Sequence, residues 1–69
     1  MTIILNGSPH DLPRDACVAD AVAALGEDAP SRLAVAVNGE VVRRAEWETT
    51  ALTEGDRVEI VAAIQGGHA

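Results

Sequence analysis

The chain has 69 residues, which is enough for one compact unit with a thin core, because a chain of this size buries roughly 60% of its unfolded surface. Apolar residues make up 48% of it, which excludes a disordered chain, and Trp47 is its one aromatic residue. Five arginines and no lysine stand against eleven acidic residues. The resulting net charge of −6 argues against a nucleic-acid-binding protein, and the missing lysine excludes Schiff-base catalysis.

The beginning of the chain predicts a β-hairpin. Residues 1–5 form a short β-rich run, and Asn6-Gly7 follows it. Asn-Gly favours a type I′ turn, in which both central residues need positive φ. The return strand, residues 8–12, contains Pro9, which cannot donate to a ladder. We therefore expect the second strand at an edge of the sheet and the first strand inside it.

A helix is predicted over residues 15–26. Its apolar residues recur at i, i+3, i+4 and i+7 and form one stripe: Val18, Ala21, Val22 and Leu25. Asp15 or Cys17 is expected at the N-cap, and an acidic residue in the first turn suits the helix dipole. Gly26 is expected to terminate the helix.

The second half of the chain predicts a second hairpin and a last strand. Residues 33–37 precede a second Asn-Gly turn, with the return at 40–43. Residues 45–52 are irregular or a single helical turn, with Trp47 and Leu52 as expected buried anchors. Residues 54–56 form a turn, and the alternating pattern at 57–60 continues to residue 64 as the final strand.

This order of elements favours an α+β fold. One helix that connects two hairpins must cover one face of a sheet, and the last strand can then lie beside the first. That is the β-grasp (ubiquitin-like) arrangement, a mixed sheet of about five strands around one helix. We expect one domain at residues 1–65 and a flexible tail at 66–69. The expected core is Ile3, Leu5, Leu12, Val18, Val22, Leu25, Val35, Val37, Leu52, Val58 and Ile60.

Catalytic and metal sites are not predicted. Cys17, at a helix start, is interpreted as a capping or small buried residue rather than a nucleophile, and His10 as a solvated residue of the edge strand. One cysteine and two histidines do not form a zinc pattern. Because no apolar run reaches the length of a membrane span and no signal peptide is visible, we expect a cytoplasmic protein that binds neither membrane nor nucleic acid.

The sequence after the last strand carries the functional signal. Gly66 and Gly67 lack Cβ atoms, so their backbone is thin enough to thread a narrow channel of another protein. An unhindered terminal carboxylate can attack the α-phosphate of ATP, and a sulfur nucleophile can then replace AMP to leave a thiocarboxylate. The alternative from the tail alone is a flexible terminus in which glycine is only filler.

The chain resembles the ThiS family, the small sulfur carriers of thiamin biosynthesis, over essentially its whole length. The segments that carry the resemblance are IILNG at 3–7, CVADAVAAL at 17–25, LAVAVNGEVVRRAEW at 33–47, LTEGDRVEIV at 52–61 and AIQGG at 63–67. The second hairpin followed by arginine and tryptophan, and then the GDRVEI strand, is fairly specific. The Gly-Gly ending by itself is shared with other sulfur carriers and ubiquitin-like proteins.

The resemblance implies a β-grasp fold and a protein substrate rather than an enzyme. An E1-like adenylyltransferase of the ThiF type would use ATP to adenylate Gly67, the carrier itself binding no cofactor, and a thiazole synthase of the ThiG type would take the sulfur. The chain departs from the family at Cys17, where many relatives carry threonine. It departs again at His68 and Ala69, which follow Gly67, and we expect a peptidase to remove this dipeptide.

Two alternatives stay open. One is a sulfur carrier for molybdopterin, cysteine or methionine synthesis, with the same chemistry at Gly67. The other is a non-catalytic β-grasp interaction module. For partner binding we expect the exposed sheet face and the strand that leads into the tail, with Ile64 either helping to dock the carrier or only completing the packing of that strand.

Overall fold

A computed structural model of the chain describes residues 1–25 and 33–62, and of Ala62 only the backbone. The elements in these residues are β1 (Thr2–Leu5), β2 (Ser8–Asp11), α1 (Val18–Ala23), β3 (Leu33–Val37), β4 (Glu40–Val42), a 3₁₀ turn (Arg44–Glu46) and β5 (Arg57–Ala62). The expected order of strands around one α-helix is therefore confirmed for the described part of the chain.

The five strands form one mixed sheet in the order β2-β1-β5-β3-β4. β5 lies parallel to β1 and antiparallel to β3, and both hairpins are antiparallel. The last strand thus lies beside the first, as expected for a β-grasp fold, and β2 with Pro9 is an edge strand as predicted. The strand that leads into the tail is the central strand of the sheet.

Both Asn-Gly turns have the conformation that the sequence predicts. Asn6 and Asn38 have φ values of 50° and 53°, and the glycine after each has a φ of 85°. Asparagine and glycine tolerate this left-handed region, which matches the twist of a two-residue hairpin. The turns therefore fix the register of β1 on β2 and of β3 on β4.

The helix is shorter than predicted. It begins at Val18, because Cys17 is the N-cap with an extended backbone and makes a bridge to Ala51. The carboxylate of Asp20 accepts the Cys17 backbone N–H at 2.8 Å, which satisfies a donor at the helix start. The prediction of a helix from residue 15, and of Asp15 as a possible cap, is wrong, while Cys17 is confirmed as the N-cap. The predicted end at Gly26 lies outside the described residues.

The core lies between α1 and one face of the sheet. Its buried residues are Ile3, Leu5, Ala16, Val18, Ala21, Val22, Val35, Trp47, Leu52, Val58 and Ile60. The predicted strand facing is therefore confirmed. Leu25 was predicted in the core but is 41% exposed, because α1 ends at Ala23 and the helical stripe does not extend to it. Leu12 and Val37 are half-buried and pack against the core from its margin.

Trp47 is buried in the core, as predicted. The residue is 7% exposed, and its Nε1–H donates to the Val42 carbonyl at 3.1 Å. The Arg44 guanidinium lies 5.1 Å from the ring centroid, a distance at which a cation and an aromatic face attract each other. The residues after the 3₁₀ turn then pair with the helix start, since Val18 N–H donates to Thr50 O and Leu52 N–H to Ala16 O, both at 3.0 Å.

Within residues 1–25 and 33–62, no helix is long and apolar enough to cross a lipid bilayer.

Candidate functional site

β5 is the element that positions the predicted functional residues. Val58 and Ile60 point into the core, while Arg57, Glu59 and Val61 lie on the opposite face of the sheet. The strand is described as far as Ala62, five positions before the second tail glycine. The predicted site residues, Ile64, Gly66 and Gly67, lie outside the described residues, as do the tail 66–69 and the last two predicted strand positions. Their assignment stays a prediction.

The start of β5 is held by a network around Asp56. Its carboxylate accepts the Thr53 backbone N–H at 2.8 Å, and the Thr53 hydroxyl and the Asn38 side-chain amide at 3.0 Å each. Its backbone carbonyl accepts the Ile4 N–H at 2.8 Å. Partial burial works to raise the pKa of Asp56, but the hydrogen bonds from Thr53 and Asn38 outweigh it and lower that pKa below its usual value. Asp56 is therefore an ionised anchor of the strand.

Two turn asparagines also hold β5. The Asn38 side-chain oxygen accepts the Arg57 N–H at 3.0 Å. Asn6 holds Ile60 with both ends of its amide, accepting the Ile60 N–H at 2.8 Å and donating to the Ile60 carbonyl at 3.1 Å. Sequence reasoning assigned both asparagines to turns alone. Local sequence contains no signal for these bonds, since Asn6 and Ile60 are 54 positions apart.

The sheet face opposite α1 is open among the described residues. Val61 is 58% exposed and Val41 is 73% exposed. The strand register places Ala34 opposite Val61 and Ala36 opposite Val41, so these four side chains form one apolar patch, hereafter the sheet-face patch. Glu59, opposite Ala36 on this face, borders the patch with a negative charge. An apolar centre with a charged margin is typical of a protein-binding surface.

The described residues contain no group of three or more histidine, cysteine or acidic side chains that could hold a metal ion. His10 is exposed on the edge strand β2, as predicted, and Cys17 is half-buried at its capping position. The described residues therefore do not bring reactive or metal-ligating side chains together into one site. The features that remain as candidates for function are β5, which leads to the glycine tail, and the open sheet face beside it.

Comparison with known proteins identifies a family and a fold that this chain resembles. The ThiS family model matches residues 3–67. A crystal structure of the thiamine biosynthesis protein ThiS from Geobacter metallireducens superposes with a TM-score of 0.81 at 29% identity, covering 97% of this chain and all of that chain. A solution NMR structure of a thiamine biosynthesis protein from the same organism has a TM-score of 0.73 at 30% identity, covering 100% of this chain and 91% of that one.

The chain is also similar to part of two larger proteins, each named thiazole synthase. It is 37% identical to the one from Magnetococcus marinus and 33% identical to the one from Paramagnetospirillum magneticum, over 67 residues in both cases. Each match covers 97% of this chain but only 20% of the relative. The family match covers nearly the whole chain, and the fold agrees. The chain therefore belongs to the ThiS family.

Proposed function

We propose that this chain carries sulfur as a thiocarboxylate on Gly67 and donates it to thiazole formation in thiamin biosynthesis. The observation that carries the proposal is the extent of the family match, which runs from residue 3 to Gly67 and stops there. The matched segment thus ends on the second glycine of the tail, the residue whose carboxylate would be activated. The central strand β5 is described as far as Ala62, five positions before Gly67.

The chemistry at Gly67 needs a free carboxylate. An activating enzyme of the ThiF type would bind ATP and the tail together, and the carboxylate would attack the α-phosphate with loss of pyrophosphate. A sulfur nucleophile would then displace AMP from the acyl-adenylate. Glycine suits the last two positions because the absence of Cβ lets the backbone enter a narrow active site. In this proposal the carrier is a protein substrate and binds no cofactor of its own.

His68 and Ala69 follow Gly67 in this sequence, so the proposal includes their removal. An internal amide carbonyl cannot be adenylated as a carboxylate can. A peptidase would hydrolyse the bond between Gly67 and His68, with water supplying the oxygen of the new carboxylate and the dipeptide leaving. The two residues beyond Gly67 also lie beyond the family match, which supports treating them as separable from the carrier.

We propose a thiazole synthase as the sulfur acceptor. In two relatives a segment similar to this chain makes up a fifth of a protein named thiazole synthase. Joining a carrier to the enzyme that consumes its cargo raises the effective concentration of each for the other. The sheet-face patch is the surface that we assign to partner docking, because it is apolar, exposed and formed partly by the strand that leads to the tail.

The test compares three chains in a reaction with ATP and a ThiF-type adenylyltransferase: the full chain, a chain that ends at Gly67, and the latter with Gly67→Ala. The readouts are ATP–pyrophosphate exchange and the intact mass of the protein. We expect the chain that ends at Gly67 to form the adenylate and, with a sulfur donor, the thiocarboxylate. The full chain should react only after a cell extract has removed the dipeptide, and Gly67→Ala should stay folded but lose most of the reaction.

Two results would contradict the proposal. One is a chain ending at Gly67 that is never adenylated. The other is thiazole formation that proceeds while the protein isolated from its cell keeps His68 and Ala69. A Gly67→Ala variant that retains full function would instead favour an interaction module without acyl chemistry.

A further inference from the structure

β1 pairs with β5, the strand that leads into the tail, over only part of the length of β5. The two strands pair at Ile4–Arg57 and Leu5–Val58, and the chain then turns away at the first Asn-Gly. On its other side, β5 stays paired with β3 as far as Ala62. Among the described residues, the β1 side of β5 beyond Val58 is held by a single residue, Asn6.

The Asn6 side chain replaces the strand residue that β1 lacks. Its backbone N–H donates to the Val58 carbonyl at 2.9 Å, and its side-chain amide then bonds both polar backbone groups of Ile60, as described above. A primary amide has the same donor and acceptor as a peptide group, so it can continue a ladder for one more pair. At Ile60, β5 is therefore flanked on one side by the Asn6 amide and on the other by Val35 of β3, although the backbone of β1 has already left the sheet.

Asn38 provides an internal comparison. It has the same turn, nearly the same φ and a side chain that also bonds the β5 backbone. Its bond, however, is to Arg57, at the end of β5 that lies away from the tail. Asn38 thus accepts from the backbone at the start of β5 and donates to the Asp56 carboxylate, whereas Asn6 bonds both backbone groups of Ile60, nearer the tail.

We propose that Asn6 is a positioning residue for the sulfur-carrying tail, because its amide makes Ile60 the last position of β5, within the described residues, that has a partner on the β1 side of the strand. Gly67 lies seven positions after Ile60, a reach of roughly 23 Å if the chain is extended. Without the Asn6 amide, the last such position moves back to Val58, and the direction in which the tail leaves the domain is less defined. This inference rests on the proposed function, in which an enzyme must receive Gly67 at a fixed place.

The test uses glycine substitutions at both asparagines, because glycine accepts positive φ without strain and so removes the side chain alone. In a chain ending at Gly67, we expect Asn6→Gly to lower kcat/KM for the carrier in ThiF-type adenylation by roughly fivefold or more relative to Asn38→Gly, about the factor that one net hydrogen bond supplies. Both variants are assayed at a temperature at which each is fully folded, so a purely structural role would leave kcat/KM unchanged.

A second readout does not depend on the proposed function. Hydrogen exchange at the Ile60 amide should accelerate in Asn6→Gly and stay at the parent rate in Asn38→Gly. If Asn6→Gly does not fold, Asn6→Asp replaces it, since aspartate keeps the acceptor for the Ile60 N–H but places a carboxylate oxygen against the Ile60 carbonyl.

The outcomes separate the two ideas. Equal kcat/KM in the Asn6 and Asn38 variants, or unchanged exchange at Ile60, would overturn the positioning role. If the parent chain ending at Gly67 is not adenylated at all, the proposed function fails, while the exchange comparison still decides whether Asn6 anchors the strand.

Discussion

Val58 is one of the most fully buried residues of this fold, and truncating it should be costly. It lies in the central strand with Leu5 on one side and Val37 on the other, and its side chain is 0% exposed. Val58→Ala removes two methyl groups, with a transfer cost of about 1.6 kcal/mol at about 0.8 kcal/mol each. The space left behind adds up to about 1 kcal/mol if the neighbours do not relax. We therefore expect a loss of about 1.6–2.6 kcal/mol in the free energy of unfolding.

The matched control lies in the same strand. Val61→Ala makes the same chemical change and the same change in β propensity, but Val61 is 58% exposed on the opposite face. We expect Val61→Ala to lower the free energy of unfolding by less than about 1 kcal/mol. Leu25 is 41% exposed. Leu25→Ala should therefore cost far less than the about 2–5 kcal/mol usual for a core leucine.

Urea denaturation followed by Trp47 fluorescence measures these differences, because this buried ring reports on the same core. The denaturant midpoint should fall in Val58→Ala at a nearly unchanged m value. A chain of this size has about 3–10 kcal/mol of stability in total, so the loss is a large fraction of it. The reasoning is refuted if Val61→Ala destabilises the protein as much as Val58→Ala does.

Two further predictions concern the hydrogen bonds of Asp56, which holds the start of β5, and of Trp47, which bonds the Val42 carbonyl. Because the pKa of Asp56 is lowered in the folded state, its carboxylate stabilises the fold above the unfolded value of about 3.9, and this stabilisation is lost as the pH falls below that value. Asp56→Asn should therefore be less stable than the parent at pH 7 by urea denaturation, and the gap should narrow at pH 3; a gap that is constant with pH would contradict the assignment. Trp47→Phe removes the donor to the Val42 carbonyl and part of the ring volume, so it should cost about 1–3 kcal/mol by circular dichroism in urea, and a neutral result would show that this bond contributes nothing.

The open sheet face adds little to the stability of the fold, whereas the strand that leads to the tail is the centre of the sheet. The side chains of the sheet-face patch are exposed and contribute little to the core, and exposed apolar patches are commonly covered by a partner. The central strand, in contrast, joins the core to the tail. In the proposed function, a tail that follows directly from the central strand of the sheet would lose less entropy when an enzyme captures it than a tail attached to a flexible segment.

Local sequence was sufficient for the elements whose chemistry is local. The two Asn-Gly pairs specify their turns because few other residues tolerate two successive positive φ values. Pro9 specifies an edge strand because it has no N–H to donate. Alternation along β5 specifies which side chains face the core, and from these features the order of strands around one helix followed.

Tertiary contacts decided the features that depend on residues far apart in the chain. The helix begins at Val18 because Cys17 pairs with Ala51, a contact that no local pattern encodes. Leu25 is exposed because the helix ends before the apolar stripe does. Asn6 bonds Ile60 only because the sheet brings β5 beside β1. Local periodicity reports which face of an element is apolar, whereas the partners of its polar groups exist only after the chain has closed on itself.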